Sequence, residues 1–510
     1  MSLAKCYSAH LCGLTAEMIT VEVDISNGLN ALSVVGLGDR AVEEAKDRVS
    51  AAVKNSGFVS PKQKNQKTVI SLAPADVRKE GASFDLAMAL AYLSASGEVI
   101  IDPEKTLFLG ELALDGQLRR VPGILPILCQ MRDAGFTRAF IPADNSVEAS
   151  LAEGIKVYGI SSIGQAVSFF NGEDILEPIG YADITSGGSS ADVSLPDMSV
   201  IRGNDAAKRG LLIAAAGGHN ILMYGPPGTG KTMLARSFPT ILPPLTASQS
   251  VEVTGIHSAA RAFFDKLIVK PPFRAPHHTA SYPAVVGGGV FPKPGEITLA
   301  HRGVLFLDEL PEFDRSVLEA LRQPLEERSI TISRAKGSMV FPADCVLIAS
   351  MNPCPCGKSK SRGCTCSVRE VRTYRRRISG PIMDRLDITV NVNKVDYARM
   401  AATVSDAESS DSMRSKVIAA RAVQEARFKL RGIDKKLNSE MDAGDIGGLI
   451  VMDDQARSSL TSAGQRLDLS GRAFHRIIKV ARTIADVDGS EQICGPHIME
   501  AIQYRQHFID

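Results

Sequence analysis

The eight residues Gly225, Pro226, Pro227, Gly228, Thr229, Gly230, Lys231 and Thr232 constrain this chain more than any other stretch. They fit the G-x-x-x-x-G-K-[ST] phosphate loop and follow the apolar run Ile221 to Tyr224, so the context is right as well as the letters. Glycines let backbone N–H groups turn inward around phosphates, Lys231 can reach the terminal phosphates of ATP, and the Thr232 hydroxyl can hold Mg²⁺. From Val200 to about Val395, apolar strand-like runs alternate with amphipathic stretches. That is the pattern of a parallel sheet with crossover helices, an α/β fold.

A second buried strand, Val304 to Leu307, ends in two carboxylates, Asp308 and Glu309. Asp308 is placed to bind Mg²⁺ through water and Glu309 to polarise the water that attacks the terminal phosphate. A third strand, Val346 to Ser350, runs into Met351 and Asn352. An amide there can sense a γ-phosphate or its water, although an Asn after a strand also serves simply as a turn residue. In GPIMDRLD, Arg385 offers a charge that a neighbouring subunit could insert toward the γ-phosphate. The competing account is a structural salt bridge with Asp384 or Asp387. Arg472 opens a C-terminal helical stretch and can touch nucleotide, against the alternative of a solvated helical arginine.

At 510 residues the chain exceeds what one hydrophobic core organises and should divide into about three domains. Residues 1–180 read as an α/β domain, in which Val42, Ala45, Val49, Ala52 and Val53 recur at helical spacing between Asp39 as a cap and Gly57 as a stop. Residues 181–199 are small, polar and without periodicity, a linker. Residues 200–395 are the nucleotide-binding core and 396–510 a helical lid. In that lid Ser470 precedes a helix with Phe474, Ile477, Ile478, Ala481 and Ile484 on one stripe. With 58 basic against 57 acidic side chains, overall charge selects no partner, so any grip on nucleic acid must come from a local concentration of cations. No run approaches the ~18 apolar residues that span a bilayer, and the N-terminus lacks a basic start followed by an apolar core. A cytoplasmic protein without a membrane partner is expected.

Four of the nine cysteines, Cys354, Cys356, Cys364 and Cys366, form C-P-C-G-x₆-C-T-C. Four thiolates in so polar a loop suit a structural Zn²⁺ site, the C-x-C spacing being tighter than the usual C-x₂-C, with reduced free thiols as the alternative. Two loops offer cations at exposed tips: Ile330 to Val340 reads as a hairpin with Arg334 and Lys336 at its tip, and Pro283 to Glu296 is rich in Gly and Pro with Lys293 near its end. Such tips can grip phosphates without reading sequence, or be merely solvated.

The ordered set GPPGTGKT, FRAPHH, GGG, GVLFLDELPEF, ASMNPCPCG, RRRISGP and SGRAFHRIIKVARTIAD resembles the ComM/YifB family of magnesium-chelatase-like AAA+ proteins along essentially the whole chain. The resemblance implies a homo-hexameric motor that assists homologous recombination, a helicase driving branch migration on single-stranded or branched DNA during natural transformation, with recombination proteins as further partners. It attaches family roles to Lys231, Asp308, Glu309, Asn352, Arg385 and Arg472, and places Lys293, Arg334 and Lys336 on DNA-contacting pore hairpins. The N-terminal domain is similar to the proteolytic domain of Lon, with Ser83 of EGASFD at the nucleophile position. Leu125 stands where the activating lysine is expected. A serine without a nearby base keeps its proton at neutral pH, so a non-peptidase domain is expected.

Competing functions are a chelatase-type motor acting on a tetrapyrrole-binding partner, a Lon-like peptidase fed by its own ATPase, and a nucleotide-gated scaffold that binds DNA without moving it. Leu125 speaks against the second and Glu309 against the third. Replacing Arg334 and Lys336 together by Ala is expected to weaken single-stranded DNA binding and to lower the slope of log affinity against log salt by about 0.7 for each phosphate no longer neutralised, with basal ATPase retained. A titration series across salt concentrations checks this, and unchanged binding removes the hairpin from the mechanism.

Overall fold

The computed structural model describes residues 2–36, 40–63, 65–74, 79, 81–181, 195–260, 267–289, 293–334, 337–358, 363–395 and 407–505. Two compact units emerge: Met1–Ala191 with Ala247–Val269, and Asp192–Thr246 with Lys270–Asp510. The observed class is the α/β one read from the sequence, with a parallel sheet in the second unit and a helical C-terminal region. Among the described residues no helix is long and apolar enough to cross a membrane.

The first unit holds β1 (Ser2–Cys12), β2 (Thr15–Asn27), β3 (Ala31–Val35), β4 (Gln66–Ala73), β5 (Thr106–Phe108), β6 (Glu111–Leu112), β7 (Leu118–Arg119), β8 (Arg138–Pro142) and β9 (Lys156–Ile160). In β2 the buried residues Ile19, Val21, Val23 and Ile25 alternate with less buried ones, as a strand with one face on a core requires. Seven strands form one sheet in the order β3-β4-β2-β1-β5-β8-β9, antiparallel at β1/β2 and β2/β4 and parallel elsewhere. Helix Arg40–Asn55 buries Ala45, Val49, Ala52 and Val53, and Gly57 follows at φ +88°. Asp39 and the side chain of Val42 lie outside the described residues. Leu125 is fully buried in helix Ile124–Asp133. That helix packs against Ala247–Ala259, an excursion from the middle of the chain: Ser258 Oγ accepts from the Gly123 N–H (2.8 Å) and donates to buried Glu148, which also accepts from the Leu125 N–H (2.8 Å).

The second unit contains β10 (Ile221–Tyr224), β11 (Phe273–Arg274), β12 (Gly287–Gly288), β13 (Lys293–Pro294), β14 (Val304–Leu307), β15 (Ser329–Arg334), β16 (Gly337–Pro342), β17 (Val346–Met351) and β18 (Ile388–Asn391). Five of these make an all-parallel sheet in the order β11-β14-β17-β10-β18. β14 and β17 are buried along their whole length, as continuous apolar runs in a parallel sheet should be. β12–β13 and β15–β16 are separate antiparallel hairpins. Among the described residues five helices follow, Ser410–Leu430, Ala443–Leu449, Asp454–Arg466, Gly471–Val487 and Gly495–Gln503, and their apolar faces join the sheet in one core. Ser470 caps Gly471–Val487 by accepting from the Ala473 N–H, and Ile477, Ile478, Ala481 and Ile484 are buried with Phe474 partly so. Buried Asp486 is shared between Arg427 and Arg482 at the heart of this helical region.

In the first unit the Asp85 carboxylate is wholly buried against Arg48, Nε at 2.9 Å, and accepts from the Leu112 N–H. Burial outweighs these partners and raises its pKa from 3.8 to about 6. The folded state therefore holds this proton more tightly than the unfolded chain, and the group's stabilising contribution, complete below pH 3.8, is lost as pH rises through about 6. Asp85→Asn is expected to remove a pH-dependent difference on the order of 3 kcal/mol between pH 4 and 7.5, read by urea unfolding of both proteins across that range. A constant difference between them would contradict the assignment.

Candidate active site

Strand register brings the candidate residues to one edge. Tyr224 of β10 lies opposite Met351 of β17, and Leu307 of β14 opposite Ala349. The next residues, Gly225, Asn352 and Asp308, thus emerge together at the C-terminal ends of adjacent parallel strands, where open α/β sheets bind ligands. The Gly225 N–H donates to the Met351 carbonyl (3.2 Å), and a Cβ on Gly225 would lie 2.1 Å from the Val392 carbonyl oxygen, so only glycine fits. Gly228 and Gly230 take φ +71° and +93°, which turns the loop back onto helix Lys231–Ile241.

Lys231 starts that helix and is nearly buried. Its Nζ donates to the carbonyls of Gly225 (2.7 Å) and Pro226 (2.9 Å) and to Asn352 Oδ1 (3.2 Å). Burial lowers its pKa, opposed by the charges of Asp308 and Glu309. The Thr232 hydroxyl donates to Asp308 Oδ2 (3.0 Å), while Asp308 Oδ1 accepts from the Ser350 hydroxyl and from the Glu309 N–H (3.1 Å). The Asp308 carboxylate is thereby oriented from two sides. Glu309 is a non-glycine residue in the left-handed region (φ 54°, ψ 50°), strain worth roughly 1–3 kcal/mol of the kind that gathers at functional sites. Its side chain is about half exposed, so solvent reaches it.

Two residues here escaped sequence reading. Ser350, read only as the end of a strand, orients Asp308. His278, within FRAPHH, follows β11, the neighbour of β14, and sets Nδ1 3.9 Å from Glu309 Oε2 with its ring against the edge of Phe313. Only the pairing of β11 with β14 reveals that proximity.

The two candidate arginines stand elsewhere. Arg385 is buried, with Nη2 2.7 Å from Glu326 Oε2, Nε donating to the Arg322 carbonyl (3.1 Å) and Nη1 to the Pro381 carbonyl (2.6 Å). Its carboxylate partner is thus Glu326, whereas Asp387 faces His219 and Arg476. Arg472 is exposed, 3.5 Å from the other oxygen of Glu326.

The four clustered cysteines converge, all four Sγ atoms lying within 4.8 Å of one another and three of the pairs at 3.3, 3.5 and 3.6 Å. Tetrahedral zinc with ~2.3 Å bonds needs S···S edges of about 3.8 Å, so the donor set fits that ion. The cysteine loop also leans on the phosphate loop: at Gly357 (φ +73°) a Cβ would sit 3.1 Å from the Pro227 ring. Lys293 is exposed on β13. The Arg334 side chain and all of Lys336 lie outside the described residues, although the β15–β16 pairing of Arg334 with Gly337 is described.

A phosphate loop after β10, a carboxylate pair after β14 and a polar amide after β17, the strand between them, define a P-loop ATPase core of the AAA+ type. Residues 197–400 match the family of magnesium chelatase, subunit ChlI; residues 21–145 match subunit ChlI of Mg-chelatase, and residues 407–505 the ChlI C-terminal region. The chain is 41% identical to the competence protein ComM of Haemophilus influenzae, covering 99% of this chain and 98% of that protein. It is 40% identical to the YifB proteins of Salmonella typhimurium and Escherichia coli, covering 99% of this chain and 97% of each. The chain belongs to this ComM/YifB family of magnesium-chelatase-like AAA+ ATPases.

Proposed function

We propose that this protein is an ATP-driven DNA motor, a helicase or branch-migration factor that works in the cytoplasm as a homo-hexamer in homologous recombination during natural transformation. The observation that carries the hydrolytic half is the pairing of Thr232 with Asp308 beside a solvent-accessible, backbone-strained Glu309. A protein that only bound nucleotide would have no use for a carboxylate held there. The DNA half rests on full-length likeness to a protein named for competence, together with cations on hairpin loops.

In this reading the N–H groups of Gly228 to Lys231 and the Lys231 ammonium take the ATP phosphates, Lys231 exchanging its bonds to two carbonyls and Asn352 for phosphate oxygens. Thr232 and Asp308 would hold Mg²⁺, which would supply positive charge against the phosphates. Ser350 keeps Asp308 in place. Glu309 accepts the proton of the attacking water, and Asn352, freed from Lys231, reports the γ-phosphate. Arg385 and Arg472 act on phosphate once released from Glu326. Lys293, Arg334 and Lys336 grip the DNA backbone. The domain at residues 1–180 is a non-peptidase module for assembly or DNA contact.

The cysteine loop holds a structural Zn²⁺ through Cys354, Cys356, Cys364 and Cys366 and, through Gly357 against Pro227, steadies the phosphate loop. Metal analysis of the purified protein is expected to return about one zinc per chain. Cys354→Ser with Cys364→Ser is expected to lose it and to weaken ATP binding severalfold, and a metal-free native protein would leave the reduced-thiol reading.

The central measurement is ATP hydrolysis without DNA, with single-stranded DNA and with a four-way junction. DNA is expected to stimulate turnover, and Glu309→Gln to cut it by about a hundredfold or more while ATP still binds. Hydrolysis indifferent to every DNA but raised by a tetrapyrrole-binding partner would replace this reading with a chelatase-type motor.

A further inference from the structure

Helix Arg322–Glu327 is separated from β15 of the larger hairpin by the single residue Arg328, with Glu326 in its last turn. Each oxygen of the Glu326 carboxylate faces a different arginine: Oε2 is 2.7 Å from Arg385 Nη2, and Oε1 is 3.5 Å from Arg472 Nη1. Those arginines come from separate elements, the turn after helix Gly380–Met383 and the start of helix Gly471–Val487. Arg385 has every guanidinium nitrogen engaged on this helix or its own turn, and its side chain is only 9% exposed. An arginine so held has no charge to offer a nucleotide phosphate until the pair opens.

We propose that Glu326 is a positioning residue that holds Arg385 and Arg472 in reserve at the root of hairpin β15–β16, so that displacement of the hairpin by a phosphate polymer and release of the two arginines toward a nucleotide phosphate are one event. The inference deepens the motor reading and rests on its assignment of both arginines. Its physical basis is competition between anions. Glu326 is about half exposed, so its pairs are weak enough for a triphosphate to displace, whereas the buried carbonyl contacts of Arg385 fix the geometry to which it returns. Because the helix runs directly into β15, the hairpin cannot move without carrying the Glu326 backbone along. A carboxylate shared between two arginines lets one movement free both.

The test is a cycle of four proteins, native, Glu326→Gln, Arg385→Ala and the double variant, assayed for ATP hydrolysis with and without single-stranded DNA, with Glu326→Asp as the charge-retaining control. Glu326→Gln is expected to raise DNA-free turnover about three- to tenfold, the effect of freeing one partly exposed ion pair, and to bring the DNA stimulation ratio toward one. Glu326→Asp is expected to behave as native, and the rise caused by Glu326→Gln to shrink in the Arg385→Ala background, where only Arg472 is left for the latch to hold. Unchanged DNA-free turnover in a Glu326→Gln protein with native melting temperature overturns the proposal, as does an equal rise in the Arg385→Ala background. If native turnover is indifferent to DNA while Glu326→Gln still raises it and Arg385→Ala shrinks the rise, the latch stands and the DNA reading falls.

Discussion

The parallel register of β10, β14 and β17 is the constraint on which the second unit depends. Tyr224 pairs level with Met351, so Gly225 and Asn352 leave side by side, while Leu307 pairs with Ala349 and brings Asp308 level with Ser350; a lysine, an aspartate and an asparagine meet at that edge without any of them being adjacent in sequence. A shift of one residue in the pairing of β14 with β17 would carry Asp308 away from Ser350 and Thr232. Continuous burial of β14 and β17 on both faces keeps these strands inside the sheet, since every residue of them is worth more inside than out.

From that edge the polar network builds outward in a definite order. Lys231 is anchored by loop carbonyls and Asn352, Asp308 by Thr232 and Ser350, and Glu309 is held in a left-handed conformation directly after Asp308. Charges in so small a volume are tolerable because each has a partner. His278 and Glu326 extend the arrangement toward the two hairpin-bearing segments, one beside the Glu309 carboxylate and the other beside the arginines. In the helical region the buried carboxylate of Asp486 is shared by Arg427 and Arg482, the second of them itself buried.

The first unit draws on different physics. Its sheet is of mixed direction, its helix Asp85–Ala95 is almost entirely buried, and its polar interior is limited to local solutions such as Arg48 on Asp85 and Glu148 on the start of helix Ile124–Asp133. A leucine fills position 125 and is wholly enclosed. Beside the charged edge of the second unit, the lining here is that of a packed scaffold.

Local pattern made much of this legible. The phosphate loop, the Asp308–Glu309 strand end and the four-cysteine cluster are short-range signals, because loop geometry, strand burial and metal spacing each act within about a dozen residues. The helical stripe from Phe474 to Ile484 is of the same kind, since period and cap are both written locally. What adjacency could not reveal came from contacts between distant segments: Ala247–Val269 packing with the first unit, His278 brought to Glu309 by the pairing of β11 with β14, and Arg385 given to Glu326 rather than to its neighbours in sequence. The sequence by itself determined which residues could form a nucleotide edge and which strands must be buried, because those follow from residue type and period. Only the tertiary structure decided which charges meet, because a salt bridge depends on where two separately folded elements stop, and no local rule carries that distance.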